Sequence, residues 1–435
     1  MNTTKIIQIE NDNYLLFHGK SLSIYSITKE KSPEIFNLIN RDHDKIQLTF
    51  STVLKDYLDT IPINYNRESN SIMPSILNTL VLPISAGCNL TCPYCFAKTK
   101  QGNMAYKDFT KKDIDKLLYL LDKKNPNQDI TLVFFGGEPL MRFDIMQYTI
   151  NQVKHSHPML KIRYSITTNG TLINQKIIKF FQENKISILL SIDGYENDYN
   201  YRKFRNGRHS VSRVLKSIEM LKSSNVPFEV RATVTSNNPF IYATFIFLEK
   251  LEVPYLLAFA YESENTAHKE LTQYNQESFT RIKNTFEQLL DYYKICLSSK
   301  IPIYNKLIPQ FINIFKNRLI QKYECGAGHM YHTVMSDGTM YSCPHLMNNK
   351  ECALGNISEW PFNNIENHSF IPISIDKIDE CKNCWAQQLC HGGCASQKHS
   401  MGRKANQAYI PEKCKLDKLM YEFLIKVYYE YTKII

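Results

Sequence analysis

Nowhere does the sequence run through the roughly 18–20 consecutive apolar positions that a membrane-spanning helix needs. Its opening, Met1-Asn-Thr-Thr-Lys-Ile-Ile-Gln-Ile-Glu, lacks the basic-then-apolar pattern of a secretion signal. A cytoplasmic protein with no membrane partner is therefore expected. Nor is there a basic stripe: the formal net charge is +10, but the lysines are scattered among asparagines and isoleucines, so no nucleic-acid partner is expected. Pro-rich and Gly/Ser-rich linkers are missing, and so is any internal repeat beyond a strand-helix rhythm. What remains is a globular chain, 43% hydrophobic over 435 residues, with room for two or three domains.

Against these absences stand twelve cysteines. In a cytosolic chain of this size they do not read as a disulfide framework, and metal binding is the natural alternative. Cys88, Cys92 and Cys95 lie within eight residues, and seven more fall between Cys325 and Cys414, with Cys352 counted apart. Cys296, in the apolar run Tyr292-Tyr-Lys-Ile-Cys-Leu, reads as a buried core thiol.

The first residues alternate apolar and polar in Ile6-Ile-Gln-Ile, Tyr14-Leu-Leu-Phe and Leu22-Ser-Ile-Tyr-Ser-Ile, predicting a small meander. Helices are expected from Ser32, and a polar linker at Asn66-Arg-Glu-Ser-Asn-Ser-Ile. From Leu80 to about Tyr261 short apolar strands alternate with amphipathic helices, the pattern of a parallel sheet. The strands begin at Leu80, Thr131, Ile162, Ile186, Phe228 and Tyr255. Thr110 is placed to cap the first helix, with Asp113 three residues on and Ile114, Leu117, Leu118 and Leu121 on one face. A long helical stretch from Gln276 to about Leu319 precedes the cysteine-rich tail, which has few long apolar runs and needs staples that metal clusters would supply.

Three thiolates at C-x3-C-x2-C spacing leave a cubane cluster one ligand short, and the open iron lets a substrate coordinate it directly. A zinc ribbon would need a fourth ligand, and the next candidate on the carboxyl side is as far off as His155. With Tyr94 before its last cysteine, the triad resembles that of the radical SAM superfamily. The resemblance implies an iron that binds the amino and carboxylate groups of S-adenosylmethionine, and a 5′-deoxyadenosyl radical that takes hydrogen from substrate. Gly136-Gly137-Glu138-Pro139, at the end of the second strand, resembles the family's motif for the ligand's amino group, with Glu138 accepting from the ammonium. Thr168-Asn169-Gly170 and Ser191-Ile-Asp-Gly194 end the third and fourth strands and match family positions near the ligand. By resemblance Ser191 bonds the ribose and Arg202 pairs with the methionine carboxylate, Arg205 being the alternative. Asp193 either shapes the turn or contacts the ligand.

In the tail, Cys325, Gly338-x4-Cys343, Cys381-x2-Cys384-x5-Cys390-x3-Cys394 and Cys414 resemble the SPASM domain. That resemblance implies two auxiliary [4Fe-4S] clusters, three in all: Cys325, Cys343 and Cys394 for the first, Cys381, Cys384, Cys390 and Cys414 for the second. Cys352 either completes the first or is a buried thiol, His345 and His391 read as supporting or surface side chains, and two zinc sites are the alternative for the whole block. The implied fold is α/β: a partial (β/α)6 TIM-like barrel over residues 78–265, an amino-terminal winged-helix-like peptide-recognition module over 1–75, a helical connection over 266–320 and a SPASM domain over 321–435.

Two SPASM activities compete. One matures a ribosomally made precursor peptide by removing hydrogen and forming a crosslink, such as a thioether from cysteine. The other oxidises a sulfatase cysteine or serine to formylglycine. The first is expected, because the amino-terminal module resembles leader-recognition elements and Cys325-Gly-Ala-Gly328 resembles the opening of the block in crosslinking maturases. Moreover, sulfatase activators resemble one another in an Asp after the Gly-x4-Cys cysteine, thought to act as base, and here Pro344 stands there. A non-catalytic electron-transfer protein would not need the open triad together with the Gly-Gly-Glu-Pro loop. The implied partners are a precursor peptide with its leader and a reductant such as flavodoxin or ferredoxin.

Overall fold

The structure, a computed structural model, describes residues 3–9, 13–27, 76–98, 104–124, 129–261 and 268–434. The chain opens with an antiparallel meander in the order β1 (Thr4–Gln8), β2 (Tyr14–His18), β3 (Ser23–Ile27). Its middle strand is buried throughout, as the apolar run Tyr14 to Phe17 predicts. The helices expected from Ser32 and the linker at Asn66 lie outside the described residues.

All six strands expected after Leu80 are present: β4 (Thr79–Ser85), β5 (Asp129–Gly136), β6 (Lys161–Thr168), β7 (Ser187–Ser191), β8 (Phe228–Val234) and β9 (Tyr255–Phe259). They pair in parallel and in chain order. Between them run α1 (Lys111–Lys124), α2 (Phe143–Ser156), α3 (Gln175–Glu183), α4 (Val211–Ser223) and α5 (Ile241–Lys250), the sequence of a partial (β/α)6 barrel. Residues such as Ile130, Leu132 and Phe134 of β5 are fully buried, while their neighbours Thr131, Val133 and Phe135 are only half-buried. This alternation sends one face against the helices and the other into the barrel. Helix α1 begins as expected: Asp113 accepts from the Thr110 N–H at 2.8 Å and its own N–H donates to Thr110 Oγ1 at 3.3 Å. Ile114, Leu117, Leu118 and Leu121 are buried.

The long helix expected over 276–319 is instead two, α6 (Gln276–Ser298) and α7 (Leu307–Asn317). The break has a physical cause. Pro302 interrupts the helical hydrogen bonding, and the buried Glu249 accepts from the Tyr304 N–H at 3.0 Å and from the hydroxyls of Tyr255 and Tyr293. The segment then follows the edge of β9, with Tyr255 N–H donating to Tyr304 O and Lys306 N–H to Tyr255 O, each at 3.0 Å.

The tail adds strands of its own. Strand β10 (Tyr331–Val334) pairs in parallel with β4, and β11 (Thr339–Tyr341) and β12 (Ala353–Asn356) follow antiparallel, so barrel and tail share one nine-stranded sheet. The tail ends in α8 (Gln387–Cys390), α9 (Ala395–Ser400) and α10 (Pro411–Thr432). Helix α10 folds back on α6, where Phe286 and Phe423 stack at 4.9 Å. The meander rests on the same region: Phe17 meets Phe315 and Trp385 edge-on at 6.0 and 5.9 Å, and Lys5 pairs with Glu422 at 2.9 Å. No helix among the described residues is long and apolar enough to cross a membrane.

His332, on the strand that joins tail to barrel, is fully buried and donates from Nε2 to Gly328 O at 2.9 Å. Burial pushes its imidazole down to about 4, so the folded protein holds it neutral. The unfolded chain takes up the proton near pH 6.5, so the contribution is present above that pH and is lost as pH falls towards the folded value. The expected loss is about 2 kcal/mol by about pH 5. Urea melts at both pH values should show a smaller drop for His332→Gln, which keeps a donor but does not titrate.

Candidate active site

The site is built from loops at the carboxyl ends of β4 to β8. Pro83, which has no N–H to give, lies beyond the last residue paired with β10 and coincides with a register shift against β5. The chain then leaves the sheet as the loop carrying Cys88, Cys92 and Cys95. A second loop is zipped onto this one: Gly137 N–H donates to Ser85 O at 2.7 Å and Glu138 N–H to Gly87 O at 2.8 Å. Glycine is required there, since a Cβ on Gly137 would sit 2.2 Å from Gly87 O and one on Gly136, at φ +129°, 2.4 Å from Ser85 O.

Glu138 is fully buried and ties three loops together. Its Oε1 accepts from Leu140 N–H at 3.0 Å and from the Thr168 hydroxyl at 2.7 Å, and its Oε2 accepts from Asn169 N–H at 2.8 Å. Burial pushes its carboxyl up, opposed by those donors and by Arg202. The carboxylate expected to meet a ligand ammonium thus already serves protein donors, with Pro139 buried beside it. Asn169 reaches the cysteine loop, donating to Asn89 Oδ1 at 2.9 Å and lying 3.9 Å from Cys88 Sγ.

A second hub, Asp193, is larger than either role expected for it. Its Oδ1 pairs with Arg202 at 2.9 Å and accepts from Thr233 N–H at 2.9 Å, while its Oδ2 accepts from the Tyr94 hydroxyl. The Arg202 guanidinium lies 5.8 Å from the Tyr94 ring centre. The cation expected to hold a ligand carboxylate therefore holds that of Asp193, while Arg205 and Arg208 line an open pocket of about 490 Å³ with Cys88, Asn89 and Met141. Ser191 ends β7 half-buried, in register with Arg231.

The three thiols lie near enough to act on one another. Burial pushes Cys92 up to about 12, with Cys95 and Cys88 adding to the rise and Arg202 opposing it, and Cys88 is raised chiefly by burial as well. Buried thiols that hinder one another's ionisation suit a cationic iron core, which replaces their protons. Among the described residues no group of three or more His, Cys, Asp or Glu side chains is drawn together tightly enough to hold a single metal ion.

The tail reaches this loop: His345 stacks on Phe96 at 3.8 Å, and Asn348 Nδ2 donates to the carbonyls of Phe96 and Ala97 at 3.2 and 3.1 Å. Its own thiols also act on one another. Cys343 and Cys325, each pushed up to about 12 by burial, feel Cys394 and lie within one another's range. Cys381, pushed up to about 11, feels Cys384 and Cys414, and Cys414 acts in turn on Cys390. Cys352 is buried in a small separate core with its Sγ 3.2 Å from His399 Nε2, and His391 lies 3.6 Å from Glu324. Cys296 is buried in α6, as its apolar run predicts.

Asp193, Asn89 and the His345–Asn348 turn are the residues that sequence reasoning undervalued. Asp193 stands two residues after Ser191 at a strand end, with an arginine downstream, and that pairing was its available signal. The other contacts join positions some 80 to 250 residues apart and carry no local signal.

The site is thus three cysteines beside a buried carboxylate hub at the carboxyl end of a parallel strand-helix barrel. A model of the radical SAM superfamily matches residues 82–239, which contain the triad, the Gly-Gly-Glu-Pro loop and Arg202. A cysteine-type anaerobic sulfatase-maturating enzyme of Clostridium perfringens is 31% identical over 339 residues, which span 73% of this chain and 88% of that protein. The chain belongs to the radical SAM superfamily and is an enzyme of that class, whose members bind a [4Fe-4S] cluster and S-adenosylmethionine. Among solved structures, native anSMEcpe with bound AdoMet aligns over 81% of this chain and 100% of its own, with TM-score 0.65 and 25% identity. Streptococcus suis SuiB bound to precursor peptide SuiA aligns over 95% of this chain and 100% of its own, with TM-score 0.55 and 18% identity, a likeness of fold.

Proposed function

We propose that this radical SAM enzyme matures a ribosomally made, leader-bearing precursor peptide and installs a crosslink, a thioether from cysteine. The observation that carries the reading is the meander β1–β3, docked against Phe315, Trp385 and α10, with β1 and β3 as its outer strands among the described residues. An extended leader can add to such an edge through backbone hydrogen bonds. In structural alignment the sulfatase-maturating anSMEcpe covers 81% of this chain, whereas the peptide-bound SuiB structure covers 95% of it. In line with the reading, Pro344 begins a short helical turn after Cys343 at the position expected to carry the base of sulfatase activators.

In this proposal Cys88, Cys92 and Cys95 hold the cluster that meets S-adenosylmethionine, and Gly136, Gly137, Thr168, Asn169 and Ser191 frame the ligand. When bound, cluster and ligand supply a 5′-deoxyadenosyl radical by one-electron cleavage. Glu138 holds the loops after β5 and β6 together, and Asp193 keeps Tyr94 and Arg202 in place beside Cys92. Cys325, Cys343 and Cys394 form the first auxiliary set and Cys381, Cys384, Cys390 and Cys414 the second, each for a [4Fe-4S] cluster. A flavodoxin or ferredoxin is the proposed reductant. The four segments 1–75, 78–265, 266–320 and 321–435 serve as leader binder, radical domain, connection and auxiliary domain.

The 31% identity to a sulfatase-maturating enzyme supports a second reading, formylglycine formation. One experiment separates them. Reduced holoenzyme with S-adenosylmethionine is given either a Cys-bearing precursor peptide encoded beside its gene or a peptide spanning a sulfatase active-site cysteine. The first reading expects faster 5′-deoxyadenosine release and a product lighter by two hydrogen atoms with the precursor only. An aldehyde on the sulfatase peptide, trapped by a hydrazide, would overturn it. Deleting residues 1–75 should weaken leader binding about tenfold or more, measured by fluorescence anisotropy; unchanged affinity would remove the docking role.

A further inference from the structure

Lys398 is a cation buried without a carboxylate. It is 2% exposed, and its Nζ donates to Ala405 O at 2.8 Å and Gln407 O at 3.1 Å. Among the described residues no acidic side chain pairs with it. Lys413, also buried, shows the ordinary solution, an ion pair with Asp417. Carbonyl dipoles stabilise an ammonium but do not neutralise it, and a whole charge left unbalanced in a protein interior is strongly unfavourable.

Burial pushes the Lys398 amine down and the Cys381 and Cys390 thiols up, so those thiols can supply balancing charge only as cluster ligands, when iron has replaced their protons. Helix α9 starts directly after Cys394, and Ser396 Oγ lies 3.0 Å from Cys394 Sγ and 4.0 Å from Cys343 Sγ, both in the first auxiliary set. Two residues on, Lys398 feels the charges of Cys381, Cys390 and Cys394. The first two belong to the second set and the last to the first, and Lys398 N–H donates to Cys394 O at 3.1 Å, one turn along α9.

We propose that Lys398 is the fixed counter-charge of the auxiliary iron-sulfur clusters, a positioning residue that raises their reduction potential and makes the pair a ready electron acceptor. The proposal rests on the auxiliary-cluster assignment made above. A thiolate-bound cluster is a net anion and gains one further negative charge with each electron it takes, so a buried cation beside it favours the reduced state. The triad of Cys88, Cys92 and Cys95, which sits in another loop, would keep its potential. A product radical on the peptide that must lose one electron to complete a bond is the natural donor to such a pair.

The test uses anaerobically reconstituted holoenzyme and its Lys398→Met and Lys398→Arg variants, reduced stepwise with dithionite as the one-electron source and followed by EPR. Signals that added S-adenosylmethionine leaves unmoved are assigned to the auxiliary clusters. Lys398→Met should shift their midpoints to more negative potential, Lys398→Arg should stay near wild type, and the ligand-responsive signal should hold its midpoint in both. Loss of iron in Lys398→Met that Lys398→Arg retains would also support the counter-charge. Unmoved midpoints in a fully loaded Lys398→Met, an equal shift in Lys398→Arg, or iron loss in both variants would overturn it. Wild-type protein holding only about four irons per chain would instead sink the auxiliary-cluster assignment itself, and the proposal with it.

Discussion

Replacing Cys88, Cys92 and Cys95 together by alanine is expected to reduce 5′-deoxyadenosine formation to background while the chain still folds. The thiols sit in a loop held by backbone contacts that alanine preserves: Gly137 and Glu138 donate to Ser85 O and Gly87 O, and Thr91 N–H donates to Lys203 O at 2.9 Å. The sheet beneath is closed by residues such as Leu80, Leu82, Ile84 and Phe134, all fully buried. No other side chain in the loop is a thiol, so the loss is total rather than graded. Iron per chain should fall by about four and the circular dichroism should stay that of wild type. Retained 5′-deoxyadenosine release would remove the triad from the chemistry.

Asp193→Ala should produce the largest stability change at the site. The side chain is 3% exposed and engages Arg202, Thr233 and Tyr94, so its removal strands the guanidinium and leaves an orphaned hydroxyl. Breaking one member of a buried, hydrogen-bonded charge pair costs about 3–5 kcal/mol. Because Tyr94 adjoins Cys95, the same change loosens the cysteine loop, and binding of S-adenosylmethionine should weaken with it. The double variant Asp193→Ala, Arg202→Met removes the stranded charge and should recover part of the stability without recovering activity. Urea unfolding with a parallel 5′-deoxyadenosine assay checks both halves. A single variant as stable as wild type would show that Asp193 ties nothing together.

The barrel was legible because its signals are local. Runs such as Ile188-Leu-Leu and Val230-Arg-Ala-Thr-Val mark strands, and the Thr110/Asp113 cap with its apolar face marks α1. The three-to-four-residue strands β10–β12 were not, since pieces so short are held by the sheet they join, and β10 joins it through a partner far back along the chain, Tyr331 with Thr79. The break between α6 and α7 escaped for a related reason: Glu249, which anchors it, lies some 55 residues before Tyr304. In the site, the Cys88-x3-Cys92-x2-Cys95 spacing was itself the local signal, and it falls within the residues that match the radical SAM superfamily. The protein partners of Arg202 and Glu138, namely Asp193, Thr168 and the Asn169 N–H, were not legible, because a motif names a residue type at a position and says nothing of which groups from other loops surround it.

The pairing of β10 with β4 also bears on how the protein is made. Strand β4 begins at Thr79 and its neighbour β10 at Tyr331. At the roughly 5–20 residues per second of synthesis, an interval on the order of tens of seconds separates the two. Throughout it, the strand that leads into the cysteine loop is a bare edge of the growing sheet, open to pairing with another chain. The loop that makes the radical is thus rooted in one of the last edges to close.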